Sequence, residues 1–204
     1  ARWLDDAGLV RVLISSMMAA FDTTSSGIAN MAWLLAKYPQ WQDKMRAELP
    51  DGPLTADVLR QLVVHDLVWK ESLRLLPVAG QLNRQALVDT ELGGHRIAAG
   101  TLVIALTGTT MWDKRYWSNP KTFDPLRFGP ERAEHKNHQG AYLPFGAGNH
   151  VCLGAQLATL EALAFFATLL RRHKLTLVDQ ADPGHGYVPF GVVLGSLPMR
   201  IEAL

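Results

Sequence analysis

The stretch Phe145-Gly146-Ala147-Gly148-Asn149-His150-Val151-Cys152-Leu153-Gly154 decides how this chain is read. It holds the single cysteine of the sequence and runs straight into an apolar segment, Val151 to Leu170. Glycines at 146 and 148 allow backbone angles that a side chain would forbid, and Gly154 lets something approach the following helix closely. A thiol at a helix N-terminus faces the positive end of the macrodipole and free backbone N–H groups, which favour the thiolate. Taken alone, a single cysteine is more often a small buried hydrophobe. The glycine-rich approach moves the balance toward a ligand or a nucleophile. A cysteine-protease reading needs a partner histidine and an oxyanion hole, and nothing here specifies them.

The segment Val151 to Leu170 is long enough to cross a bilayer but carries Gln156 and Glu161 near its middle. A central carboxylate costs about 2.5–3.5 kcal/mol on insertion scales, so a buried helix, continuing to Arg172, is expected. The run Val12 to Phe21 is too short to span and is followed by Asp22. No membrane segment is therefore expected.

Upstream of the cysteine, Trp112 to Gly148 is dense in Pro, Gly, Asn and charge, a long irregular loop with a short helix expected near Asp113 to Trp117. Such loops in compact domains are usually functional or disordered. Its His135-Lys136-Asn137-His138 has loose metal-ligand spacing but no third ligand, and reads as a solvated loop. Before it, Leu82 to Val88 and Glu91 to Ile97 flank turn residues, and Leu102 to Leu106 reads as a buried strand.

The first third reads as helix. Trp3 to Lys37 has no proline and ends at Tyr38-Pro39. Helices are expected over Gln40 to Leu49, from near Thr55, and over Val64 to Leu76. Glu71 and Arg74, at i and i+3 of the last, share a helix face, as on any surface helix. Within the long helix, Asp22-Thr23-Thr24-Ser25-Ser26-Gly27 prefers caps and turns, so a break or a kink is expected there. An acid beside a hydroxyl in that weak spot can relay protons into a dry pocket, although a solvent-facing polar pair is the blander reading. Downstream, Arg171-Arg172-His173-Lys174 ends a helix, where cations complement the dipole. Short strands near Leu175 to Val178 and Met199 to Glu202 finish a mainly α chain with a small, mixed β part.

With 204 residues, 48% apolar and 19% charged, the chain has the size and balance of one large globular domain. A net charge of +1 gives no general electrostatic case for nucleic acid or an anionic membrane. One cysteine excludes an intramolecular disulfide framework and a cysteine-rich zinc site, and fits a reducing compartment.

Taken in order, these features resemble the cytochrome P450 family. Ala19-Ala20-Phe21-Asp22-Thr23-Thr24 resembles its distal-helix motif, small-Gly-x-Asp/Glu-Thr-Thr/Ser. Glu71-Ser72-Leu73-Arg74 matches its Glu-x-x-Arg. Phe123-Asp124-Pro125-Leu126-Arg127-Phe128 resembles its Pro-x-Arg-Phe segment, and Phe145 to Gly154 matches its haem-thiolate signature. Ala20 replaces the usual Gly, and His150 stands where Arg is more frequent, as in bacterial members.

The resemblance implies that residues 1–204 form the C-terminal haem-binding half of the domain, starting at the long distal helix and lacking the N-terminal half. It implies haem b (iron protoporphyrin IX) with Cys152 as axial ligand, Phe145 against the thiolate, and Gly148 and Gly154 in the cradle. It also implies His150 and Arg84 as propionate donors, and Asp22 and Thr23 as the acid–alcohol pair that delivers protons to dioxygen. Glu71, Arg74 and Arg127 would form a buried structural triad. Met18, Ala19, Val78, Ala79 and Phe190 would face an apolar small-molecule substrate. The implied activity is hydroxylation or epoxidation by a cytoplasmic monooxygenase once the N-terminal half is supplied. Its electrons would come ultimately from NAD(P)H through a ferredoxin-type or flavin reductase partner. The proximal face would accept that partner, with Arg171 and Arg172 on its rim. The alternatives are a non-catalytic or truncated haem-binding half serving in an assembly, and a helical interaction domain with a fortuitous cysteine loop.

Overall fold

The computed structural model describes residues 5–178, 185–188, 191–195 and 197–204. Helix α1 (Asp6–Lys37) is capped by Asp5, whose carboxylate accepts from the Gly8 N–H at 2.7 Å. That bond satisfies one of the free donors of the first turn. Pro39 stops the helix, as expected from its effect on the preceding residue. Of the break or kink expected at Asp22 to Ser26, the break is absent: the helix is continuous there. The hydroxyls of Thr23 and Ser25 donate to the carbonyls of Ala19 and Phe21 at 2.7 and 2.8 Å, so groups that compete with the backbone are satisfied within the helix.

The two halves of α1 live in different surroundings. Asn30 to Leu35 are buried, whereas Leu13, Met17, Met18 and Phe21 are exposed, Phe21 to 76%. The buried half packs with α4 (Val63–Leu75) and α6 (Ala155–Leu170). Met31, Leu34, Leu35, Val68, Phe166 and Leu170 interlock there out of water, each burial stabilising by roughly 1.5–3 kcal/mol. Two buried amides tie this core together. Asn30 Nδ2 donates to the Leu76 carbonyl at 3.0 Å. Gln42, on α2 (Gln40–Ala47), donates to the Leu35 and Leu175 carbonyls and accepts from the Leu175 N–H. The short α3 (Ala56–Leu59) is capped by Thr55.

The β part consists of two-stranded antiparallel sheets. β1 (Leu82–Gln85) pairs β4 (Leu102–Ala105), and β2 (Thr90–Leu92) pairs β3 (His95–Ile97) across Gly93-Gly94. Both glycines have positive φ, which a two-residue hairpin turn requires. The strand expected to be buried is not: Leu102 is 61% and Ile104 47% exposed, because among the described residues β4 pairs with β1 alone. β1 also ends at Gln85, short of the expected Val88.

The short helix expected at Asp113 to Trp117 is a turn, and the helical turn lies upstream as α5 (Thr107–Met111). The remainder of the long loop is ordered by its own small core. Trp117, Phe128 and Ala141 bury against Leu67, and Phe128 packs edge-on to Tyr142 at 4.8 Å. β5 (His173–Leu177) pairs β8 (Met199–Ala203), the two terminal strands expected. A further hairpin, β6 (His185–Val188) with β7 (Gly191–Leu194), was not foreseen. The chain is mainly helical with small sheets, the expected class.

Candidate functional site

The cysteine loop is held at one end and free at the other. Phe145 packs against the main core, and its carbonyl accepts the Cys152 N–H at 2.9 Å, closing the loop on itself. Between them Gly146 and Gly148 take φ of +75° and +69°, angles that only glycine adopts cheaply. A Cβ on Gly146 would touch Leu82 of β1 at 3.5 Å, whereas a Cβ on Gly148 would meet nothing within 4 Å. The Cys152 thiol is free and exposed. α6 starts at Ala155 rather than Val151, with Gly154 as its N-cap, so Cys152 precedes the helix instead of beginning it. A Cβ on Gly154 would lie 4.0 Å from Cys152 Sγ, so the thiol sits beside the bare backbone of that residue.

Arg84, on β1, is exposed, and its Nη1 donates to the neighbouring Asn83 carbonyl at 2.8 Å. His150 is exposed in the turn Gly148–His150. On α1, Met18, Ala19, Asp22 and Thr23 all lie on the exposed half, and the Thr23 hydroxyl is turned back to Ala19. Val78 and Ala79, between α4 and β1, are half-buried. Phe190 lies outside the described residues.

Glu71, Arg74 and Arg127 come together with none of their side chains reached by solvent. Glu71 accepts from Arg74 at 2.7 and 2.9 Å, from Arg127 Nε at 3.0 Å and from the Asp124 N–H at 2.9 Å. Arg74 also donates to the carbonyls of Met111 and Pro120, so the pair that reads as a surface feature in sequence pins the long loop to α4. Trp117 covers both guanidiniums, with ring-to-Cζ distances of 5.1 and 6.0 Å.

Sequence reasoning missed the second carboxylate of this cluster. Glu134 accepts from Arg127 at 2.8 Å, from Arg132, and from the hydroxyl and N–H of Ser118. Burial alone would raise its carboxyl, but the Ser118 and Arg132 hydrogen bonds, joined by Arg127, outweigh it and hold the carboxyl at about 2. Nothing periodic connects Glu134 to Arg127; only their common loop hints at the pairing.

The remaining candidates resolve differently. His135 stacks on Phe128 and is half-buried, not solvated, and His138 stacks on Tyr116. Among the described residues no three His, Cys, Asp or Glu side chains are grouped to hold a metal ion. Arg171, expected on a docking rim, donates to the carbonyls of Pro50 and Gly52 at 2.6 Å and so fastens that turn to the end of α6. No helix among the described residues is long and apolar enough to cross a membrane.

One exposed thiol on a glycine-rich loop suits a soft metal centre. The residues present fit a haem: the space beyond Gly148 is open, and Leu153, next in the chain to Cys152, exposes apolar surface.

Comparison with known proteins gives the same direction. The chain is 43% identical over 201 residues to cytochrome P450 136 of Mycobacterium tuberculosis, covering 97% of this chain and 41% of that protein. It is 36% identical over 163 residues to mouse cytochrome P450 3A13, covering 78% and 32%. To pig thromboxane-A synthase it is 34% identical over 164 residues, covering 78% and 30%. The chain thus spans well under half the length of these curated relatives. The sequence model of the cytochrome P450 family matches residues 2–203, and the chain belongs to that family.

Proposed function

We propose that this chain is the C-terminal, haem-binding half of a monooxygenase that oxidises an apolar small molecule. The observation that carries the reading is the exposed Cys152 thiol, presented by a loop with two positive-φ glycines, of which Gly148 faces open space. Cys152 would ligate the iron as thiolate, with Gly148 and Gly154 allowing the ring to lie close to the backbone. Arg84 and His150 would donate charge-assisted hydrogen bonds to its propionates. When bound, the haem supplies reductive activation of dioxygen, favoured by electron donation from the thiolate.

Asp22 and Thr23 would manage protons on the opposite side. Thr23 Oγ1 donates its own proton to the Ala19 carbonyl and has lone pairs left to accept a hydrogen bond. Asp22, exposed one residue before it, would take protons from water and pass them on in its protonated form. Glu71, Arg74 and Arg127 act by holding the long loop, not by touching substrate. Electrons would come from NAD(P)H through a ferredoxin-type or flavin reductase partner.

The exposed apolar half of α1 favours turnover only with a further part of the domain in place. Leu13, Met17, Met18 and Phe21 stand in water, and such a band invites cover. Without it the bound haem would be open to solvent, and the chain would act as a non-catalytic haem-binding part of an assembly.

The test is the reduced carbon-monoxide spectrum of the haem-loaded protein. A Soret band at the red-shifted position of thiolate ligation is expected, and it disappears in Cys152→Ala. Its absence from the parent protein, or its survival in Cys152→Ala, overturns the reading.

A further inference from the structure

Trp69 stands where three helices meet. The outer edge of its indole lies against α1 at Gly27: a Cβ on Gly27 would be 2.8 Å from Cη2 and 3.3 Å from Cζ3. Two carbons do not approach that closely, so the indole occupies the place a side chain would take. On its other side, Nε1–H donates to Thr159 Oγ1 of α6 at 3.1 Å, and that hydroxyl donates on to the Ala155 carbonyl at 2.8 Å. Trp69 is 2% exposed, and it projects from α4 two residues before Glu71, whose buried ion pairs fix that helix.

Both ends of this contact lead to the site. Gly27 follows Thr23 by one helical turn, and Val78 also lies 3.7 Å from the position of a Gly27 Cβ. Ala155 opens the helix that follows Cys152 and Gly154. The buried Asn30–Leu76 hydrogen bond clamps α1 to the end of α4 close by, so α1 cannot pivot freely about Gly27. A rigid bicyclic side chain at this junction fixes two distances at once, whereas a flexible one would fix neither.

We infer that Trp69 is a positioning residue that sets the spacing between the helix carrying Asp22 and Thr23 and the loop carrying Cys152. The inference rests on the haem-thiolate reading above. Its physical content is that Gly27 and Trp69 are one fitted pair. A methyl at Gly27 must push α1 away or displace the indole, and displacement breaks the link to Thr159. A phenyl ring in place of the indole falls short of Gly27 and has no N–H, so it removes the clash and the link together.

The experiment is a double-mutant cycle, Gly27→Ala with Trp69→Phe, in this protein. It is read by thermal unfolding and by the reduced carbon-monoxide spectrum after haem loading. Gly27→Ala alone is expected to lower the unfolding midpoint by about 4 °C or more. The same substitution on the Trp69→Phe background lowers it by less than half as much. The share of protein with the thiolate-type band falls in Gly27→Ala and in Trp69→Phe, and the double variant stays at the level of Trp69→Phe. Thr159→Val, which keeps the ring contact, reduces that share while leaving the thermal coupling intact. Equal midpoint shifts on both backgrounds overturn the fitted pair, and an unchanged spectrum across all four variants overturns the positioning role. If the parent protein lacks the thiolate-type band, the haem-thiolate reading fails instead, and the thermal cycle still reports on the Gly27–Trp69 contact.

Discussion

Glu71 meets Arg74 with both carboxylate oxygens, Oε2 on Nε at 2.7 Å and Oε1 on Nη2 at 2.9 Å, and solvent reaches neither side chain. One carboxylate here faces two guanidiniums, since Arg127 shares Oε1. Glu134, against Arg127, supplies the second negative charge. Desolvating four charges is costly, and the cluster is tolerable because each has partners and because backbone carbonyls accept the remaining guanidinium protons. Its return is geometric: α4, the Asp124 backbone and the long loop are fixed to one another.

Removing one partner should therefore hurt more than the net worth of the cluster. Glu71→Gln leaves two buried guanidiniums facing a neutral amide, a change that costs about 3–5 kcal/mol. Against a total of roughly 5–15 kcal/mol for a domain, that is a large share of the stability. Urea unfolding should show a large fall in midpoint with little change in slope. A fall equivalent to under about 1 kcal/mol, the range of exposed pairs, would contradict this account.

Glu134 makes the same cluster sensitive to acid. Its carboxyl protonates near the ordinary 4.5 in the unfolded chain and at about 2 in the folded one. The folded state thus binds that proton less readily, and the stabilisation is fully present above about 4.5 and lost as pH falls toward about 2. The shift corresponds to something on the order of 3 kcal/mol. Glu134→Gln should be less stable at neutral pH, and its disadvantage should shrink as pH falls through that window. Denaturant midpoints of both proteins from pH 6 to 2 check this; parallel curves would rule it out.

The parts of the site that sequence reveals are those written in short local strings. The glycines and thiol from Phe145 to Cys152 announce a special loop, Pro39 ends α1, and Glu71 and Arg74 sit on one helical face. Contacts between distant segments leave no such trace. Gln42 bonds Leu175 across 133 positions, and Trp69 bonds Thr159 across 90. The unbroken course of α1 through Asp22 to Ser26 was hidden for a different reason. Propensity counts Thr and Ser as competitors of the backbone, and here their hydroxyls find carbonyls within the helix. The apolar run Leu102 to Leu106 misleads in the opposite sense. Its composition fits a buried strand, yet among the described residues nothing covers Leu102 and Ile104.

Gln42 offers a test of one such long-range contact. It is 2% exposed and serves the Leu35 carbonyl and both backbone groups of Leu175. Gln42→Ala leaves those three groups unpaired, and a loss of about 3 kcal/mol is expected. Gln42→Glu is nearly isosteric and should be no better. It keeps an acceptor for the Leu175 N–H but turns a second oxygen toward two carbonyls. Chemical denaturation of the two variants decides it: recovery of stability by Glu would mean that volume, not hydrogen bonding, matters at this position.

The cysteine loop permits a cleaner separation of backbone strain from ligand binding. Gly148 and Gly100 both have positive φ, +69° and +83°, and a Cβ on either would meet nothing within 4 Å. Alanine at each should therefore cost a similar amount, about 1–2 kcal/mol, from strain alone. Only Gly148 lies in the loop beside Cys152, whereas Gly100 turns the chain between β3 and β4. Gly148→Ala should accordingly weaken haem uptake beyond its effect on stability, because the added methyl enters the space proposed for the ring. Gly100→Ala should match it in unfolding and bind haem as the parent does. Equal haem affinity in the two variants would show that the open space at Gly148 is not where the ring lies.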